Sequence, residues 1–138
     1  MIKITLACVL LVSGCHLEKP YFYPLDVVLK ENMPCFSAPY NIQKKSRLLQ
    51  NRGVSVTKIT GKKGQIFWQS EPQSTLPVIP AGECVSYPDI NWQEGDYAIL
   101  MGISTNNDAE RYRLSKSIRL QKDKAGNFML QEIRQPDL

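Results

Sequence analysis

Residues 92–103 read Trp-Gln-Glu-Gly-Asp-Tyr-Ala-Ile-Leu-Met-Gly-Ile, and this stretch decides the fold class. Turn-forming residues come first, and from Tyr97 onward the positions of both parities are apolar. A strand that is apolar on both faces is typical of a central position in a sheet. We therefore predict a central strand over 97–103, entered through a tight corner at 92–96.

Shorter runs of alternating apolar and polar residues lie on both sides of this strand, separated by turn-forming segments. Glycine-bounded turns at 61–64 and 123–126 predict hairpins. The three prolines within 71–82 indicate an irregular crossing or an edge strand. The apolar positions of the runs are Leu25, Val27 and Leu29; Val54 and Val56; Ile66 and Trp68; Tyr112, Leu114, Ile118 and Leu120; and Phe128 and Leu130.

Two places in this pattern are ambiguous. Lys116 interrupts the apolar face of the run at 112–120 and indicates either a bulge or an edge position. Residues 41–52 are the one stretch with helical character, but their apolar stripe is poor, so a loop with one helical turn is the alternative.

About seven short strands within roughly 110 residues predict an all-β fold, an antiparallel β-sandwich. The corner before the central strand resembles that of immunoglobulin-like and fibronectin-like sandwiches. The resemblance implies that Tyr97 hydrogen-bonds back to the preceding corner and that Trp92 fills the core beneath it.

The first 15 residues have the zones of an export signal: a positive start, an apolar run and small residues before a cut site. The apolar run, residues 4–12, falls well short of the roughly 20 residues that cross a bilayer. Its end, Leu11-Val12-Ser13-Gly14-Cys15, resembles the signal of bacterial lipoproteins. The alternative is an apolar first strand with an incidental cysteine.

The lipoprotein resemblance implies acyl chains on Cys15 and a periplasmic location. Because His16 rather than Asp follows the cysteine, the expected membrane is the inner leaflet of the outer membrane. We therefore predict a removed signal peptide over 1–14, a lipidated cysteine with a short tether over 15–24, and a single domain over 25–138. Tyr21 to Tyr23 would contact the headgroups or, in the preferred interpretation, form the first strand of the domain.

Cysteine chemistry follows from that location. Cys8 leaves with the signal peptide, so Cys35 and Cys84 are the cysteines of the folded domain. The periplasm is oxidising, and the simplest prediction is a disulfide between them, worth about 4 kcal/mol for a loop of about 50 residues. Two free thiols in the core are the alternative. Two cysteines and the distant His16 are too few ligands for a zinc site.

Composition excludes several classes of protein. With 43% hydrophobic and 22% charged residues, the chain fits neither a disordered nor a membrane-spanning protein. The formal net charge of +4 becomes +3 once Lys3 is removed, which is too mild to predict binding to nucleic acid. The single histidine leaves nothing for a histidine-based metal cluster, so we predict no cofactor and no metal.

No catalytic set can be assembled from the sequence. His16 lies beside the proposed anchor, away from any folded pocket. Paired carboxylates could act on sugars, but Glu83 with Asp89 and Glu94 with Asp96 lie in turns, where a solvated carboxylate is ordinary. We therefore predict that the protein is not an enzyme.

Charge is segregated along the chain. Residues 32–63 hold seven basic residues and no acidic one, whereas residues 64–110 hold seven acidic residues and no basic one. Unless the fold interleaves these blocks, a basic face would steer an acidic partner, or the phosphates of the nearby membrane, onto the domain. The alternative is a set of ordinary solvated faces that screen each other. The candidate partner-binding residues are Lys44, Lys45, Arg47, Lys62, Lys63 and Trp68.

Trp68 belongs to that set because of its neighbour. Phe67 and Trp68 are adjacent in a predicted strand, so they should point to opposite faces, and one of them should be exposed. An exposed aromatic beside Lys62 and Lys63 would suit an interface anchor. The alternation does not decide which of the two it is.

Several short motifs together resemble one family: the lipoprotein signal, Pro34-Cys35-Phe36-Ser37, Gly82-Glu83-Cys84, and Glu94-Gly95 followed by Tyr97. They are similar to those of small enterobacterial lipoproteins of type VI secretion immunity, over most of residues 1–120. This chain departs from them in a longer, basic stretch between 37 and 54. The resemblance implies binding and neutralisation of a toxic effector in the periplasm, and it assigns no interface residues.

The expected function is therefore protein binding by a lipid-anchored periplasmic domain, which occludes a type VI effector by steric contact. Two alternatives stay open. One is a structural lipoprotein of an envelope or secretion assembly, and the other is a lysozyme-inhibitor-like lipoprotein.

Overall fold

The computed structural model describes residues 22–105 and 110–134. No helix in these ranges is long and apolar enough to cross a bilayer. The all-β prediction is confirmed. The predicted signal peptide and Cys15 lie outside the described residues. The elements are β1 (Phe22–Pro24), β2 (Asp26–Lys30), β3 (Met33–Ser37), α1 (Tyr40–Gln43), β4 (Leu48–Thr60), β5 (Lys63–Gln69), β6 (Val78–Pro80), β7 (Gly95–Thr105), β8 (Arg111–Lys122) and β9 (Phe128–Glu132).

The central strand of the sequence is β7, which pairs with β4 on one side and with β8 on the other. Each of these two long neighbours has two further partners. The start of β4 pairs with β6 and its end with β5, while the start of β8 pairs with β1 and its end with β9. All pairs are antiparallel except β1 with β8. These strands form a seven-stranded sheet, and β2 and β3 form a separate hairpin.

The core lies on one face of β7. Its inward residues are all buried: Tyr97, Ile99, Met101 and Ile103. On the opposite face Leu100 remains 44% exposed. The sequence is apolar on both faces of this strand, but only the face of Tyr97, Ile99, Met101 and Ile103 is fully buried by other residues.

The predicted tyrosine corner is present. The Tyr97 hydroxyl donates to the Gln93 carbonyl oxygen at 2.8 Å and accepts from the Gln93 amide at 3.1 Å. The Trp92 ring packs edge-on against Tyr97, with 5.0 Å between the ring centroids. Both side chains are buried, so the corner is fixed to the core by a hydrogen-bonded ring and a packed one.

The predicted disulfide is confirmed as well: Cys35 in β3 is bonded to Cys84. Beside it, Phe36 and Val85 exchange two backbone hydrogen bonds of 2.8 Å each. The covalent bond and this bridge hold the small hairpin against the segment that leads into the corner.

Both ambiguous places are resolved. Residues 40–43 form a single helical turn, as the loop alternative predicts, but residues 48–52 belong to β4, which neither alternative predicted. Pairing with β7 continues through Lys116 without a shift, so no bulge lies there. Instead, Lys116 lies where the outer partner of β8 changes from β1 to β9, and its ammonium pairs with Glu132 at 3.1 Å.

The segment 71–82 contains β6, a three-residue edge strand on β4, as its prolines indicated. At the start of the domain, Phe22–Pro24 of the predicted tether form β1, in agreement with the preferred interpretation of Tyr21 to Tyr23 where these are described.

Candidate binding surface

A groove of about 560 Å³ opens on the face of the sheet that does not form the core. Its floor follows a row of paired residues across four strands: Phe22, Arg113, Gly102 and Gly53. The two glycines carry no side chains, so the row is low at its β4 and β7 end, beside the larger side chains of Arg113 and Phe22. Phe22 and Leu100 leave 43% and 44% of their surface exposed in it.

A bulge shapes one side of the groove. The pairing of β4 with β7 shifts between Asn51 and Gly53, and Gly53 adopts a φ of +121°, which favours glycine. The bulge brings Arg52 over the opposite strand, since a Cβ on Gly102 would lie only 3.3 Å from the Arg52 Cβ. A side chain at either glycine would narrow the groove.

The wall of the groove is the segment between β5 and β6. Ser70 makes two hydrogen bonds with Val54 of β4. Its hydroxyl accepts from the Val54 amide at 2.9 Å, and its own amide donates to the Val54 carbonyl at 2.9 Å. At the other end of the segment, the Pro77 carbonyl accepts from the Asn51 amide at 2.8 Å. The wall is therefore anchored to β4 on both sides of the bulge.

Tyr87 and Asn51 support this anchor from below. The Asn51 side-chain amide donates to the Tyr87 hydroxyl at 2.7 Å, and its carbonyl oxygen accepts from the Gly53 amide at 2.9 Å. Burial raises the pKa of Tyr87, so the phenol stays protonated. A neutral, hydrogen-bonded pair thus fixes the geometry of the bulge, and both residues also line the groove.

The structure divides the predicted basic surface in two. Lys44, Lys45 and Arg47 precede β4, whereas Lys62 and Lys63 form the turn and first residue that follow it. Since β4 has 13 residues at about 3.3 Å each, the two groups lie roughly 40 Å apart along the strand. We therefore treat the five residues as two separate candidate contact sites and not as the centre of one interface.

Lys45 is also engaged within the domain. Its ammonium donates to the Tyr112 hydroxyl at 3.0 Å and lies 5.3 Å from the centre of that ring. The hydrogen bond with Tyr112, and after it the charge of Glu110, raise the pKa of Lys45. Lys45 therefore links the α1 turn to β8, and all three cations of this loop, Lys44, Lys45 and Arg47, are exposed.

Trp68 is not the exposed aromatic of its strand. A shift in pairing between Val56 and Thr57 leaves Phe67 without a partner of its own, so Phe67 and Trp68 both turn towards the core. Trp68 packs on Tyr87 with 4.8 Å between ring centroids. The bulge breaks the alternation on which the prediction of one exposed aromatic rested.

The exposed apolar residue of β5 is Ile66, which keeps 67% of its surface in solvent. Sequence analysis placed it as an ordinary member of an apolar run. Leu100, Gly53 and Gly102 were missed as groove residues for a related reason, because only the pairing of β4 with β7 aligns them.

Two of the four acidic residues considered for catalysis, Asp96 and Glu94, make hydrogen bonds within the fold. Asp96 receives two hydrogen bonds from Arg119, at 2.8 and 3.1 Å. Glu94 accepts from the Lys122 amide at 2.8 Å. Within 22–105 and 110–134, no group of three or more His, Cys, Asp or Glu side chains is placed to hold a metal ion.

No protein-family model, no curated protein and no solved structure matches the chain. The geometry of the groove and of the two basic groups is therefore the starting point for its function.

Proposed function

We propose that the chain is a lipid-anchored periplasmic protein that binds a type VI secretion effector and neutralises it by occlusion. The observation that carries this proposal is the disulfide between Cys35 and Cys84. Disulfides of this kind persist in oxidising compartments such as the periplasm. Cys15, at the end of an export-type segment, would supply the acyl chains.

The groove is the proposed contact with the effector. It offers exposed apolar surface at Phe22 and Leu100 beside the guanidinium of Arg113, the combination typical of interface centres. Its wall and floor are tied by hydrogen bonds to the long strands, so little order has to be gained on binding. A rigid surface of this kind can fill or cover the entrance of an effector's active site.

The proposal includes the fold type predicted from the sequence. An immunoglobulin- or fibronectin-like sandwich is supported by the Tyr97 corner and by its packing on Trp92. Hydrogen bonding joins seven strands into one sheet and β2 and β3 into a second, so the layers of such a sandwich would not be two sheets of similar size.

Deletion of the gene tests the proposed function. A deletion strain grown in contact with wild-type siblings should be killed, and expression of the full chain in trans should restore survival. Abundance of the protein is followed by immunoblot so that loss of protection is not confused with loss of protein. A deletion strain that survives fully but no longer secretes would contradict the proposal and assign the chain to the secretion assembly itself.

A further inference from the structure

We propose that the basic loop formed by Lys44, Lys45 and Arg47 rests on the phosphates of the bilayer that anchors the protein. This contact would fix the orientation of the domain, with the Lys62–Lys63 turn directed away from the membrane. The inference rests on the lipid anchor of the proposed function and adds a second, electrostatic contact to it.

The loop lies next to the point where the chain enters the domain. Lys45 donates to the Tyr112 hydroxyl at 3.0 Å, and the Tyr112 ring packs edge-on against Tyr23 with 5.2 Å between centroids. Tyr23 belongs to β1, the first described strand. Lys45 therefore contacts Tyr112, which in turn contacts Tyr23 of β1, the strand through which the chain enters the described domain.

The length of the chain before β1 places this end near the bilayer. Six residues, 16–21, lie between Cys15 and Phe22, and even fully extended the seven steps from Cys15 to Phe22 span at most about 25 Å. The turn at Lys62 and Lys63 lies at the other end of β4, roughly 40 Å further along the strand. The tether keeps the first basic group, and not the second, close to the headgroups.

The charge and chemistry of the loop suit a phospholipid surface. Lys44 and Arg47 are exposed, and Tyr40, 77% exposed, adds an aromatic ring of the kind found at headgroup level. Two carboxylates also face this region. Glu110 interacts with Lys45, and Glu83 follows the segment whose Ala81 amide donates to the Arg47 carbonyl.

Together with these two carboxylates, the three cations of the loop leave a net charge of +1. An acidic protein is the other candidate occupant for this charge. The bilayer is favoured because the anchor is part of the same chain, so its phosphates are present at high effective concentration at all times.

The test uses the mature, acylated protein reconstituted in phosphatidylcholine vesicles with and without phosphatidylglycerol. Amide hydrogen exchange is measured by mass spectrometry over 40–48 and over 58–66. The amides of Lys44 and Lys45 donate to the carbonyls of Tyr40 and Ile42, so their exchange reports opening of the loop. We expect phosphatidylglycerol to slow exchange by roughly ten-fold over 40–48, with no change over 58–66.

Two charge-reversal variants provide a matched comparison. Lys44→Glu with Arg47→Glu should abolish the protection, because two cations become anions at the membrane side. Lys62→Glu with Lys63→Glu makes the same change in net charge at the other end of β4 and should leave the protection intact. High salt should reduce the protection in the wild type and in the second variant.

Each other outcome counts against the inference. Protection that is absent, that does not depend on phosphatidylglycerol, or that both variants lose equally would overturn it. A different result would be that the Lys44→Glu, Arg47→Glu variant fails to keep cells alive beside their siblings while its amide exchange on vesicles stays as in the wild type. That result would assign the loop to a protein partner. The mass of the mature chain reports acylation separately, so an unacylated Cys15 would count against the proposed function and not only against this contact.

Discussion

The Tyr97 hydroxyl makes two hydrogen bonds to Gln93 in a position that water does not reach. Removing it leaves the Gln93 amide and carbonyl without this partner. We expect Tyr97→Phe to lower the free energy of unfolding by about 1 kcal/mol, because that is the net contribution typical of an intramolecular hydrogen bond. Urea denaturation monitored by tryptophan fluorescence measures the change.

Tyr40→Phe serves as the matched control for this prediction, since it deletes the same hydroxyl from a ring that is 77% exposed. Its midpoint of unfolding should equal that of the wild type. If the two variants were equally stable, the corner would contribute nothing to folding and its resemblance to a sandwich corner would be incidental.

At the scale of elements, the disulfide joins the β2–β3 hairpin to the segment before the corner. Replacing both Cys35 and Cys84 by alanine releases a 49-residue loop in the unfolded chain. We expect the free energy of unfolding to fall by about 4 kcal/mol on the chain-entropy model. Denaturation with and without reductant measures it, and a wild type whose stability ignores reductant would contradict the prediction.

The ion pair between Asp96 and Arg119 crosses from β7 to β8 and makes stability depend on pH. The hydrogen bonds from Arg119 lower the pKa of Asp96, with partial desolvation opposing them. Because the folded-state pKa lies below the unfolded one, the stabilisation is complete above the usual pKa of an aspartate. It is lost as the pH falls through the folded-state value.

We therefore expect Asp96→Asn to be less stable than the wild type at neutral pH, with a difference that shrinks on acidification below pH ~4. Urea midpoints across an acid series measure it. The double variant Asp96→Asn, Arg119→Gln should show the same pH profile as the single one. A difference between wild type and Asp96→Asn that does not change with pH would show that the pair is not its source.

At the scale of the whole molecule, the groove and the two basic groups occupy different parts of the surface. We expect Leu100→Asp to abolish protection in the sibling-killing assay, since a carboxylate in an apolar interface centre weakens binding by about ten-fold or more. Val28→Asp is the matched control, because Val28 is an exposed strand residue, 54% accessible, outside the groove. Equal survival of both complemented strains would exclude the groove as the effector contact.

Features that depend on a few neighbouring residues were predictable from the sequence, whereas features that depend on strand pairing were not. The central strand and its corner were predicted correctly, since apolar content and turn residues act over a few positions. The disulfide was predicted from the two cysteines that remain once Cys8 and Cys15 are assigned to the proposed signal peptide and anchor. The face of Trp68 was beyond prediction, because a bulge inserts one residue and reverses the alternation after it.

The candidate groove was beyond prediction for a second reason. Gly53, Gly102, Arg113 and Phe22 come from four strands and are neighbours only through cross-strand register. Register depends on the balance of all the packed pairs in the sheet and not on any one segment.

The sequence by itself determined that this chain forms strands, where the central strand lies, and which two cysteines of the domain pair. These properties depend on local periodicity and on composition. Only the tertiary structure decided that the basic residues form two groups at opposite ends of β4, that both aromatic residues of β5 face inward, and that a groove lies over two glycines. Those properties arise from pairing between distant segments, whose free energies are set by contacts that a local pattern does not contain.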